Sequence, residues 1–341
     1  MKTQFAFLLA AMLMISAAPA FAQQSSQGLF EKGSKLTEAK KFKEAAAVFE
    51  QAIEKDPSDG ILFRYLAWCQ LELAQYDKAI ESARKAIALD PDDYVAFNNL
   101  GWGLLQLGRT DEAITELETS IRMNSSYALS RNNLGYAYMK QGRDDEAMDE
   151  LRAALQLNPN EKRARNNLVS IYFRAGKYRE AAAELETLTR LEPNSAGHFA
   201  GLGGAYMNLG EHQKAIDAFQ QAVTLDPKDV QNMKHLGMAQ SAAGKRNDAI
   251  ATFRQLLTEK PKDYDVLFSL AIAYNQTSRY DDAIAAAKEA LELKPNSEQA
   301  IMMIAMSYVS KRDRDSARVY LPRLKELDAD LAKILEKALE K

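Results

Sequence analysis

A chain of 341 residues with 47% hydrophobic and 27% charged side chains carries enough apolar material for an extensive buried core. Its formal net charge of −3 gives no basic surface of the kind that attracts nucleic acid or an anionic membrane. One cysteine, Cys69, excludes an intramolecular disulfide, so the fold must stand on packing alone.

The chain opens with Lys2 and a 14-residue apolar run from Phe5 to Ala18, followed by the small-x-small site Ala20-Phe21-Ala22. This pattern predicts a secretory signal peptide over 1–22, cleaved after Ala22, with a short linker at 23–25. The apolar run falls short of the ~20 residues that span a bilayer, so no integral membrane span is expected after cleavage. No cysteine follows the cleavage site to carry a lipid. The expected location is the periplasm or the extracellular space.

From residue 26 onward the chain repeats itself. Pro57 and Pro91 are 34 residues apart, as are Pro159, Pro193, Pro227, Pro261 and Pro295, while Ser125 takes the place between Pro91 and Pro159. With the proline as position 32, nine units start at 26, 60, 94, 128, 162, 196, 230, 264 and 298. Position 7 is then apolar from Leu66 to Ile304, and position 8 is mostly Gly or Ala. Position 20 is Ala in every unit, from Ala45 to Ala317, and Tyr138, Tyr172, Tyr206, Tyr274 and Tyr308 share position 11. Apolar residues at helical spacing make each unit a pair of amphipathic helices. Gly108, Gly142, Gly176, Gly210 and Gly244, at position 15, are suited to the left-handed residue that ends a first helix. Asp93, Asn160 and Ser195 are candidate caps for the helices that follow them. Leu331, Ile334, Leu335, Ala338 and Leu339 form one apolar stripe, so 332–341 is expected to be a capping helix after repeats spanning 26–331.

These columns carry a resemblance to the tetratricopeptide repeat, whose 34-residue signature combines Leu-Gly, Tyr, Ala and Pro. It implies an all-α, right-handed superhelical solenoid of nine helix-turn-helix repeats, with first helices lining a concave groove at positions 2, 5, 6, 9, 12 and 13. Carried over to this chain, those positions mark a groove of Arg64, Tyr65, Trp68, Asn98, Asn99, Trp102, Asn132, Asn133, Tyr136, Arg163, Asn166, Asn167 and Phe173. Asparagine is a mediocre helix former, so three successive Asn-Asn pairs inside helices call for a reason. Those pairs, in repeats 3 to 5, resemble the repeat region of O-linked N-acetylglucosamine transferases, where position-6 asparagines hold extended peptides. The equivalents elsewhere are Tyr65, Gly201, His235, Ser269 and Met303, and a transferase domain is lacking.

Catalytic constellations are not apparent. His198, His212 and His235 lack metal-ligand spacing, and the fragment Gly201-x-Gly203-Gly204 has no preceding strand to make a phosphate loop. The sequence predicts no enzyme activity, no cofactor and no metal. It predicts a protein-interaction scaffold of the cell envelope that binds an extended peptide or partner segment in the groove. The alternative is a structural subunit of an envelope secretion or polysaccharide-export machine, docking through its convex surface. A protein or peptide partner is expected, with polysaccharide second and nucleic acid excluded.

Overall fold

The structure, a computed structural model, describes residues 25–340. The signal expected at 1–22 and the first two linker residues lie outside the described residues. Every described element is helical. The chain divides into two compact units, Met1–Ala164 and Arg165–Lys341.

In the first unit, helices alternate as α1 (Ser26–Glu38), α2 (Phe42–Lys55), α3 (Gly60–Glu72), α4 (Tyr76–Leu89), α5 (Tyr94–Gln106), α6 (Thr110–Met123), α7 (Ala128–Lys140) and α8 (Asp144–Leu157). The division falls within α9 (Lys162–Arg174). The second unit continues with α10 (Tyr178–Leu191), α11 (Ala196–Asn208), α12 (His212–Leu225), α13 (Val230–Ala242), α14 (Arg246–Glu259), α15 (Tyr264–Gln276), α16 (Tyr280–Leu293) and α17 (Glu298–Ser310). It ends with α18 (Arg314–Arg318), α19 (Leu321–Leu327) and α20 (Ala329–Glu340). Each odd-numbered helix from α1 to α17 begins where the 34-residue spacing starts a unit, which makes this an all-α repeat fold.

The two helices of a repeat meet at positions 8 and 24. A Cβ on Gly33 would stand 2.6 Å from the Phe49 ring, and one on Gly237 would stand 2.5 Å from that of Phe253. Leu117 and Leu151 crowd Gly101 and Gly135 in the same way. Where position 8 is Ala, as at Ala67 and Ala271, position 24 shrinks to Ala83 and Ala287, and all four are buried. In these repeats the residue at position 24 is large where position 8 has no Cβ and small where it has one.

Position 15 has positive φ in all nine repeats. Five are the expected glycines, but Lys40, Ala74, Ser278 and Arg312 adopt the same left-handed conformation, with φ between 55 and 67°. A Cβ costs roughly 1–2 kcal/mol there, and the hydrogen bonds that close the turn oppose it. Lys41 N–H reaches Leu36 O at 2.9 Å and Lys40 N–H reaches Thr37 O at 2.9 Å, the pairing that satisfies the last carbonyls of α1. Among the expected caps, Asp93 accepts from the Val95 and Ala96 N–H groups at 3.0 Å, and Ser195 accepts from His198 N–H at 3.4 Å. Asn160 does not cap α9. Glu161, one residue nearer the helix, accepts from Arg163 N–H at 3.3 Å.

The ninth repeat departs from the others. Its second helix stops at Arg318 and resumes as α19, because Pro322 has no N–H to give the Arg318 carbonyl. The last helix begins at Ala329, three residues earlier than expected, with Asp328 capping it through Asp330 and Leu331 N–H at 2.9 and 3.0 Å. Its buried face is Ala332, Leu335 and Leu339, packed with Ile301, Ala305, Ala317 and Leu324, whereas Ile334 is 54% exposed. Met302 and Met306 pack against this cluster. Ending the chain after Asp328 should uncover Ile301 and Leu324 and forfeit about 3–5 kcal/mol from two leucines. Melting temperature should fall and the shortened chain should self-associate in sedimentation; an unchanged monomer with unchanged melting would contradict the capping role.

Candidate binding groove

Repeats 2 to 4 place their first helices, α3, α5 and α7, side by side within the first unit. Between them lies an open depression of about 390 Å³. It is lined by Arg64, Tyr65 and Trp68 of α3, Tyr94, Val95 and Asn99 of α5, and Tyr127 and Leu129 at the start of α7. Trp68 is 38% exposed and braced edge-on by Phe42 and Tyr65, with ring centroids 6.0 and 6.1 Å apart. Tyr94 and Tyr127 meet edge-on at 5.1 Å. Arg64 lies 5.4 Å from the Tyr65 ring centre and reaches both carboxylate oxygens of buried Asp93 at 3.2–3.3 Å. That pair sets the depression's charge near neutral, since Asp93 is held in place by its capping of α5. Burial, with Tyr94 adding, pushes the Tyr127 phenol up to about 12.

A second aromatic platform, Trp102 with Tyr136 at 5.7 Å, lies further along the same helices, and Lys140 Nζ sits 5.7 Å from the Tyr136 ring centre. Both aromatics are half-buried.

The asparagines depart from expectation. Asn98, Asn99, Asn132 and Asn133 are all at most 5% exposed, so they do not form an open ladder of amides. Asn133 Nδ2 donates to Asn98 Oδ1 at 2.9 Å, and Asn99 Nδ2 donates to the Arg64 carbonyl at 3.3 Å. Each position-6 amide thus ties its helix to position 5 of the preceding repeat. Asn132 Nδ2 donates to Asn133 Oδ1 at 3.2 Å, Ser130 Oγ donates to Asn98 Oδ1 at 3.3 Å, and the Ser120 and Ser130 hydroxyls pair at 2.7 Å. A buried amide left alone costs more than a satisfied one gains, so these residues come as a connected set. Asn99 alone reaches the depression.

The remaining expected residues are not gathered there. Arg163 is exposed on α9; Asn166, Asn167 and Phe173 belong to the second unit. In that unit Asn166 Oδ1 lies 3.2 Å from His198 Nε2, and Phe173 packs on Tyr178 at 5.9 Å. His235 packs against Phe219, and no group of three side chains fit to hold a metal occurs among the described residues. Cys69 is buried in the first core, and burial, with the Glu72 charge adding, pushes its thiol up to about 12. It is a packing residue.

Four lining residues, Tyr94, Val95, Tyr127 and Leu129, escaped the sequence reading. Tyr127 left a signal. It occupies the cap position that is Ser or Asp before most first helices, and it makes no side-chain cap bond.

A family model for the cilia and flagella-associated protein 70 C-terminal domain matches residues 131–333. Two tetratricopeptide-repeat models match 98–162 and 36–101. The chain belongs to the tetratricopeptide-repeat family. No match among curated proteins was found. Among solved structures, the C-terminal part of a TPR repeat-containing protein from Cytophaga hutchinsonii is 23% identical, with a TM-score of 0.59 over 71% of this chain and 99% of that one. PilW, a widely conserved type IV pilus biogenesis factor, is 22% identical, with a TM-score of 0.55 over 62% of this chain and 97% of its own. At these identities the likeness is one of fold. As a tetratricopeptide-repeat protein the chain is a protein-interaction scaffold, with protein or peptide as its class of partner. No helix among the described residues is long and apolar enough to cross a membrane.

The buried amides have a measurable consequence in this repeat protein. Asn133→Ala leaves Asn98 Oδ1 without its shortest donor and should cost about 1–3 kcal/mol. The loss should appear in urea unfolding, whereas Asn166→Ala, at an exposed site, should change stability by less than about 0.5 kcal/mol.

Proposed function

We propose that the protein is a non-catalytic scaffold of the cell envelope that holds an extended partner segment across the first helices of repeats 2 to 4. The observation that carries this reading is the depression itself. Four aromatic side chains surround one amide and a neutralised arginine, and one of the four, Tyr127, stands where a cap would otherwise be. Interfaces draw most of their energy from such aromatic anchors, and a few polar groups beside them orient the ligand. An extended chain advances roughly 3.3 Å per residue, and neighbouring helices pack about 8–10 Å apart. Each repeat therefore meets about three ligand residues, and one side chain in three finds an aromatic wall.

Asn99 is the one asparagine that borders the ligand's path. Asn98, Asn132 and Asn133 act behind it by holding the helices in register. Envelope placement rests on the predicted signal peptide. Amino-terminal sequencing of the exported protein should begin at Gln23, and an intact Met1 chain in the membrane fraction would overturn that placement.

The groove is tested by selecting a displayed library of random 12-residue peptides on the full chain and measuring the enriched peptides in solution. Trp68→Ala should weaken them by about 2 kcal/mol, roughly thirty-fold, with helicity unchanged. Asp149→Ala, exposed on α8, should leave affinity within about two-fold. Normal binding by a folded Trp68→Ala variant would move the interaction to another surface, the second helices first among them.

A further inference from the structure

The first helices of repeats 1 to 4 end on Glu38, Glu72, Gln106 and Lys140, one residue per repeat at the same register. The charges run acid, acid, neutral, base along one edge of the first unit. Glu38, Glu72 and Lys140 are exposed, and none of them forms an ion pair among the described residues. Two of these residues work against their own helices. The carboxyl end of a helix carries partial negative charge, so a cation belongs there and a carboxylate is unfavourable. Lys140 obeys that rule, while Glu38 and Glu72 break it. Local stability therefore gives no reason for them.

The same edge borders the aromatic groups. Glu72 lies four residues after Trp68 and so one helical turn beyond it on the same face. Lys140 stands in the same relation to Tyr136 and has its ammonium over that ring. One aromatic platform thus has an acid beside it, and the other has a base.

We infer that the partner segment is mixed in charge, with a Lys or Arg lodged over Trp68 against Glu72 and an Asp or Glu reaching Lys140. The inference rests on the groove reading above and adds the charge order and spacing of the ligand. A cation over an indole face with a carboxylate beside it gains from both. Helices two repeats apart stand about 16–20 Å from one another, so opposite charges about five or six residues apart along an extended segment match the two ends. A uniformly acidic or uniformly basic segment meets repulsion at one of them.

The peptides enriched from the random library on the full chain supply the test. They should pair a basic and an acidic residue five or six apart, flanking an apolar one, and should bind more weakly as salt rises. Glu72→Lys should weaken such a peptide about ten-fold and strengthen its counterpart with the base replaced by Glu. Lys140→Glu should do the mirror image with the all-basic counterpart, and Asp149→Lys should change neither. Enriched peptides that depend on Trp68 but show no charge pairing, or that ignore both charge reversals, overturn this inference and leave the groove intact. If nothing is enriched, or binding is indifferent to Trp68→Ala, the groove reading falls and this inference falls with it.

Discussion

Two helices come within backbone contact only where one of them has no side chain in the way. In repeats 1, 3, 4, 6 and 7 that place is the glycine at position 8, and the opposite residue at position 24 fills the space beside it. Glycine faces Phe49, Leu117, Leu151, Phe219 and Phe253, whereas repeats 2 and 8 have alanine at both positions. Adding even a methyl at those glycines would force a neighbour aside, which typically costs about 1–3 kcal/mol in a packed core. Everything else hangs on this contact. It fixes how tightly each pair closes, and the pair in turn fixes where the outer face of the first helix points.

The turn that joins the two helices follows from the pair rather than from its own residues. Lys40, Ala74, Ser278 and Arg312 take up the left-handed conformation that glycine takes elsewhere. Their strain is offset by the helix contact and by hydrogen bonds that close the last carbonyls. Repeat-to-repeat bonds then build outward from this base. Tyr138 donates to Glu118 at 3.0 Å and Tyr206 to Glu186 at 2.5 Å, each reaching back to the preceding second helix. The buried amides of repeats 3 and 4 do the same for first helices. Polar groups thus specify register inside a structure that apolar burial stabilises.

A frame held together by its own contacts leaves side chains on its outer face uncovered. Trp68 stands out because Phe42 and Tyr65 hold it from behind, and Arg64 is aimed by buried Asp93. An aromatic group already fixed in place loses little entropy when a ligand covers it. Glu38 and Glu72, at the ends of α1 and α3, are likewise exposed.

The repeat was legible in the sequence because its physics is local. Helical spacing, a terminating residue and a proline recur every 34 residues, and no distant contact is needed to read them. Trp68, Trp102 and Tyr136 were legible for the same reason, since one helix determines which side a residue takes. Burial of the asparagines was not, because the position-6 amides find their partners 35 residues away, as Asn133 finds Asn98 and Asn99 finds the Arg64 carbonyl. Nor was the break before α19, where Pro322 stands inside a unit whose other columns persist. The depression itself was assembled from three repeats, and Tyr127 joined it from a loop position that the helical pattern passes over. Periodicity determines which face a residue takes; only the packing of one helix on the next decides whether that face meets water, a partner or the protein's own interior.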